Sequence, residues 1–278
     1  MAELSLQREA SRSQIDAQVQ LLRPLADAMQ ISDIPLAWTQ MSALAASCLV
    51  LESGMDAVPV LTCRDRNRIA LTSELLGLRA LGVRSVILTR GHRVPKNHPL
   101  QASTVFDTTG RELVALANEL NEDESADSGD RMLIGTGARV FRPGHQWRGE
   151  SLKDRSEAGA EFIQTQLCFD IELLKEYMAR LVELRLTWSY SVIVSLTPLP
   201  SVKTAEWIQR RMSDSKIPAA VLEQLEQADD QRAEGIALCA AAMREIVKIP
   251  GVSGINLMNT GDSEAVAEAI EASGLREP

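Results

Sequence analysis

The residues able to do chemistry in this sequence fall in short clusters. TCRDRNR (62–68) packs three arginines and an aspartate into seven residues. Guanidinium forks at that density could hold phosphate or carboxylate groups; alternatively, Asp65 or Asn67 caps a helix starting near Ile69 and the arginines face water. TRGH (89–92) sets a glycine, which lets backbone approach a ligand, between the cation of Arg90 and the titratable ring of His92. TQLCFD (165–170) carries Gln166, whose amide can give and accept hydrogen bonds along a heterocycle's edge. A satisfied core glutamine is the rival reading, weighed against the cost of burying an amide without a partner.

Other chemistries lack their residues. His92, His98 and His145 are too far apart for a metal-ligand motif, and neither H-E-x-x-H nor a G-x-S-x-G elbow occurs. Cys48, Cys63, Cys168 and Cys239 are widely spaced in apolar surroundings, which predicts core thiols rather than disulfides or zinc ligands. A net charge of −9 without a basic, aromatic-laced stripe speaks against nucleic acid. No run of about 18 apolar residues occurs, and Met1 to Ser13 lacks an apolar signal core, so the expectation is a cytoplasmic protein without membrane contact. With 278 residues, 45% of them hydrophobic, one domain over 1–278 can bury a single large core.

The elements that must position these clusters alternate. Eight apolar or β-branched runs read as strands: 2–6, 34–38, 57–63, 85–90, 131–136, 161–166, 190–196 and 252–258. Amphipathic segments at 14–29, 67–81, 110–121, 170–186, 201–213 and 229–248 read as helices. The pattern predicts an α/β protein built as a single (β/α)8 barrel; an open doubly wound sheet would want a G-x-G-x-x-G turn after its first strand. NEDESADSGD (121–130) reads as a solvated acidic loop, and 96–113 as a long loop able to cover a substrate, with Asp107 or Thr108 capping the next helix. Barrel chemistry sits at the carboxyl ends of strands. That rule selects Glu3 or Glu9, Thr39, Arg64 and Asp65, Arg90 to His92, Arg139, Gln166 and Asp170, Thr197 to Ser201, and Asn259 and Asp262.

From about Asp33 to Leu275 the chain resembles the methylenetetrahydrofolate reductases. The similarity is carried by RDRNRIALTSELLGLRALGV (64–83), the HP and VFD pairings of 98–107, AGAEFIQTQLCFD (158–170), and GVSGINLM with AIEASGL across 251–275. The resemblance implies a (β/α)8 barrel and a flavoprotein: NAD(P)H reduces FAD, which passes hydride to 5,10-methylenetetrahydrofolate and yields 5-methyltetrahydrofolate. Under it Glu3 is the general acid that opens the imidazolidine ring, and Gln166 contacts the pterin with Asp65 nearby. Thr39, Thr89, Arg90, Gly91 and His92 then serve the cofactor, with Lys153 and Arg155 at its phosphates. Three features depart from the family's pattern: no Pro-Pro turn follows Glu3, His92 replaces an aspartate, and RVFRPGHQW (139–147) lacks the usual Asn-Pro. A protonated imidazole near the flavin would favour its reduced anion and raise its potential, suiting the oxidative direction. The departures also motivate two alternatives, a flavin-lacking folate-binding partner subunit and a flavin-independent reductase with direct hydride transfer. A homo-oligomer is compatible with either.

Overall fold

In the computed structural model, which describes residues 1–122 and 131–276, eight parallel strands close on themselves in chain order. They are β1 (Ala2–Glu3), β2 (Ala28–Ile31), β3 (Asp56–Thr62), β4 (Ser85–Thr89), β5 (Leu133–Ala138), β6 (Phe162–Leu167), β7 (Ser191–Leu196) and β8 (Val252–Leu257). Pairing of Ala2 with Leu257 shuts the barrel. Ten α-helices pack outside, among the described residues: α1 (Arg12–Leu22), α2 (Ala43–Glu52), α3 (Arg68–Ala80), α4 (Gly110–Glu122), α5 (Glu150–Glu157), α6 (Ile171–Glu183), α7 (Val202–Arg211), α8 (Ala219–Gln227), α9 (Gln231–Ile246) and α10 (Ser263–Ser273). None is long and apolar enough to cross a membrane. The expected acidic loop lies, from residue 123 to 130, outside the described residues.

The barrel is as expected, but the sequence pattern misplaces one strand. Residues 34–38 form a 3-10 turn in which Ile34, Leu36 and Ala37 all have positive φ and Pro35 has no N–H to give a ladder. The second strand is the wholly buried AMQI at 28–31, which periodicity alone merges into a helix over 14–29. Helices α2, α5, α8 and α10 are additions to the expected set. In α2, ALAASCLVLE, apolar residues run almost without interruption, and the amphipathic period is correspondingly faint.

Helix starts are set by local capping. Ser11 and Gln14 form a reciprocal capping box, and Asn67 accepts the Ala70 N–H at 3.0 Å, so Asn67 rather than Asp65 starts α3. Thr109, not Asp107 or Thr108, opens α4: its Oγ1 accepts the Glu112 N–H at 3.2 Å while Glu112 accepts the Thr109 N–H at 2.8 Å. Asp107 turns to the neighbouring helix and accepts the Arg68 N–H at 2.9 Å.

The strands' outward side chains, such as Leu88, Ile134, Ile163 and Val192, join the helices in one continuous apolar layer. Ala28, Val58 and Ile87 form a second, small apolar cluster with Met1, Val60 and Phe162 inside the barrel. Gly135 admits the Phe162 ring, which a Cβ at 135 would meet at 2.2 Å. Side chains alternate along a strand, and register partners share a face. Gln30 pairs with Val58 and Glu3 with Gln30, so both face inward. Gln164 lies two residues beyond Phe162 and pairs with Ile193; Ile193 pairs with Gly254, and Ser195 with Asn256. The interior is therefore apolar at its floor and polar toward the carboxyl ends.

Candidate functional site at the barrel mouth

Glu3 ends β1 and is buried. Its carboxyl accepts hydrogen bonds from the Ser32 hydroxyl and, at 3.3 Å, from the Asn259 N–H. Burial pushes its pKa up against the opposing pull of these two donors, and no cation stands among its partners. Glu9, the other glutamate that follows the first strand, is exposed. Gln30, Ser195 and Asn256 are 5%, 1% and 0% exposed. Gln30 Oε1, Gln164 Oε1, Ser195 Oγ and both amide atoms of Asn256 have no hydrogen-bond partner. Such groups cost free energy when dry and mark a place for water or ligand.

The 62–68 cluster does structural work. Asp33 accepts the Thr62 N–H and hydroxyl at 2.8 and 2.9 Å and pairs with Arg66. Arg64 is clamped onto Asp65 at 2.6 Å and donates to the Ile34 carbonyl at 3.0 Å; its own carbonyl accepts the Val105 N–H at 2.8 Å. Arg68 lies 3.3 Å from Glu112. Arg64 and Arg66 thus pair with carboxylates of the loops after β3 and β2, and the half-exposed Arg68 with Glu112 of α4; Arg64 and Arg66 do not face water as the capping alternative expected, and Arg66 Nε keeps no partner. The Asp65 carboxylate is likewise occupied. His98 Nε2 adds a bond to the Ala37 carbonyl at 2.8 Å.

A cavity of about 520 Å³ opens at the carboxyl ends of β4 and β5. Thr89, Arg90, Arg139 and Arg155 line it, with Gly110 and Arg111 from the start of α4 and an aromatic wall of Phe141, Trp147 and Tyr177. Phe141 meets Trp147 edge-on at 5.2 Å and Tyr177 at 5.6 Å. Arg155 is held by the Thr136 hydroxyl at 3.1 Å and the Gly137 carbonyl at 2.6 Å; burial draws its pKa down. Arg90 lies over the Phe106 ring at 4.6 Å.

Of the residues expected at a cofactor, Thr89, Arg90 and Arg155 therefore come together. Gly91 follows at φ +75°, where a Cβ would meet Thr62 Cβ at 2.9 Å. His92 and Lys153 are exposed and outside the cavity wall. Thr39 is also exposed; because β2 ends at Ile31, the rim position belongs to Ser32. Gln166 exchanges two hydrogen bonds with Val140, accepting its N–H at 2.8 Å and donating to its carbonyl at 3.1 Å. One acceptor and one donor position of that amide are left over.

Gln30, Ser32, Asp33, Gln164, Ser195 and Asn256 are absent from the residues that sequence reasoning selects. For Gln30 and Asn256 the signal is a single polar residue at an inward position of an apolar run, as in AMQI and GINL. Cys63 and Cys168 are buried thiols whose pKa burial lifts to about 11 and about 12, so both stay protonated. No group of three or more potential metal ligands converges among the described residues.

An eight-stranded parallel barrel with a polar mouth defines a class, the (β/α)8 proteins that bind ligands at the carboxyl ends of their strands. Within it the sequence model of the methylenetetrahydrofolate reductases matches residues 34–274, and the chain belongs to that family. A probable methylenetetrahydrofolate reductase (NADPH) of Caenorhabditis elegans is 24% identical over 245 residues, 85% of this chain and 35% of that protein. The chain thus spans about a third of that relative's length. Among solved structures, a Clostridium thermocellum protein that binds two copies of 5-methyl-5,6,7,8-tetrahydrofolic acid superposes with a TM-score of 0.63 at 13% identity, covering 99% of this chain and 93% of that one. A 2,3-dimethylmalate lyase follows at 0.52 and 9%, covering 97% and 78%. At these identities both neighbours speak for the fold.

Proposed function

We propose that the chain is a folate-dependent oxidoreductase of one-carbon metabolism that interconverts 5,10-methylenetetrahydrofolate and 5-methyltetrahydrofolate with FAD and NAD(P)H. Family membership supports the reaction class. The observation that carries the reading is Glu3, a buried carboxyl at a strand's carboxyl end with no cation opposing it. Burial biases such a group toward its acid form, the form that can protonate a basic atom such as the imidazolidine nitrogen when the methylene bridge opens. Gln166, oriented by Val140, offers its remaining acceptor and donor to the pterin edge. Asp65 serves indirectly, by holding Arg64 and the loops beside the mouth.

The β4–β5 cavity suits a flavin dinucleotide. Arg90, Arg111, Arg139 and Arg155 supply charge for a pyrophosphate, the aromatic wall supplies stacking surface, and Gly91 and Gly110 let backbone approach. When bound there, FAD would supply the hydride-carrying chemistry; the chain's part is to hold it and exclude water. His92, exposed and outside the cavity wall, favours a second reading, a flavin-lacking folate-binding subunit or a reductase with direct hydride transfer.

The visible absorption spectrum of the purified protein tests the proposal. An oxidised-flavin spectrum bleached by NAD(P)H or by 5-methyltetrahydrofolate is expected. Colourless protein that binds folate without turnover leaves the subunit reading, and colourless protein that oxidises NAD(P)H with folate leaves direct transfer.

A further inference from the structure

We infer that Gln30 is the positioning residue of Glu3: its buried side-chain carbonyl accepts the carboxylic acid's proton, directly or through one water held with Asn256, Ser195 and Gln164. The inference rests on reading Glu3 as the acid of the proposed reaction. Glu3 and Gln30 are register partners on adjacent strands, about 4.8 Å apart in backbone and on the same inward face. Gln30 is 5% exposed, and its Oε1 has no partner. A neutral carboxyl needs an acceptor for its O–H, whereas the Asn259 N–H can only donate.

The surrounding compartment offers further unpaired groups, the amide oxygens of Gln30, Gln164 and Asn256, the Asn256 Nδ2 and the Ser195 hydroxyl. An acid O–H or a water can donate to the Gln30 carbonyl among them, and a carboxylate cannot.

The charged groups on neighbouring elements are engaged elsewhere. Asp33 beyond β2 is held by Arg66, Asp262 beyond β8 by Arg232, and the Met1 amino group by the Ile255 carbonyl. On α1, Arg12 pairs with Glu52 and Asp16 with the Ser53 hydroxyl; Arg8, Glu9 and Glu264 are exposed. Across the interior the facing residues on β6, β7 and β8 are the uncharged Gln164, Ser195 and Asn256. With no cation among these groups paired to Glu3, burial favours the acid form of Glu3, and the acid's O–H finds its acceptor in Gln30, with the Ser32 hydroxyl as the rival among its partners.

The test is an NMR titration of the full chain carrying carbon-13 in its glutamate carboxyls, the Glu3 signal being assigned by its loss in Glu3→Gln. A hydrogen bond to the acid form stabilises that form, so Gln30→Met lowers the Glu3 midpoint by about one pH unit, and Gln30→Asn, which keeps a carbonyl, recovers part of the shift. An unchanged midpoint in Gln30→Met overturns the inference, and so does a fall of the midpoint in Ser32→Ala, since loss of Ser32 as a donor raises the midpoint whereas its loss as the acid's acceptor lowers it. Should Gln30→Met fail to fold, the infrared difference between wild type and Glu3→Gln at neutral pH decides: a hydrogen-bonded acid carbonyl band supports it, and a carboxylate or free-acid band overturns it. Neither readout needs turnover. A shifted midpoint without folate activity sinks the proposed function and leaves this assignment standing, whereas Glu3-dependent turnover with an unmoved midpoint does the reverse.

Discussion

On the outward face of β4, the side chains of Val86 and Leu88 are fully buried in the apolar layer beneath the helices, and the hydroxyl beside them, on Thr136, is satisfied by the Leu88 carbonyl at 3.0 Å. On the inward faces of β2 and β8, Gln30 and Asn256 are as deeply buried, yet their polar atoms lack partners. The same strands thus carry two environments separated by one residue's alternation. The outer face can spend burial on stability because nothing needs to enter it. The inner face gives some of that up, and barrel interiors filled by branched apolar side chains show what it forgoes. Residues kept at that cost are where ligand chemistry is expected.

Breaking the inner face should therefore cost activity far more than fold. Glu3→Gln is expected to lower folate turnover about 10²–10⁴-fold, read by steady-state kinetics, while the protein stays folded. Its stability should also lose a pH dependence. The folded-state pKa of Glu3 lies above the ordinary 4.5, so the native state binds the proton more tightly. Between that value and the raised one, wild-type stability falls as pH rises, because burying the charge is unfavourable. Glu3→Gln removes this component. Denaturation midpoints measured across that window should diverge with rising pH to the variant's advantage, and parallel curves would mean that Glu3 ionises without penalty.

Breaking the outer face should do the opposite. Leu88→Ala leaves a hole between β4 and its helices and is expected to cost about 2–5 kcal/mol in denaturant unfolding, with little effect on folate affinity in the protein that remains folded. A large loss of affinity at unchanged stability would show that the two faces are coupled.

The outer face is legible in the sequence and the inner one only in part. Runs such as SVILT and SVIVSL declare strands whose outward residues need no partner beyond other apolar groups. AMQI escapes because four residues after a long amphipathic stretch carry too little periodicity, and its loss moves the expected rim position from Ser32 to Thr39. The fates of Arg66 and Arg68 cannot be read locally, since their partners Asp33 and Glu112 lie on another loop and another helix. Gln166 is found because it lies near a strand's end. Gln30 and Asn256 are missed because a single polar residue in an apolar run looks like noise until register puts several of them in one layer.

Gln166 stands between the two environments, and its variant is expected to have the smallest effect. Its amide already exchanges two hydrogen bonds with Val140, so truncation unpairs a backbone N–H and carbonyl in the loop after β5 as well as removing any contact to a pterin. Gln166→Ala should weaken folate binding by about 1–3 kcal/mol, the range for a buried polar group left without its partner. Isothermal titration with 5-methyltetrahydrofolate measures it. Gln166→Glu separates the two roles, because a carboxylate still accepts from the Val140 N–H but can no longer donate. If the donor serves only the Val140 carbonyl, Gln166→Glu destabilises the loop and folate affinity follows in proportion. If it serves the pterin, affinity falls further than stability does, and equal losses would remove Gln166 from the site.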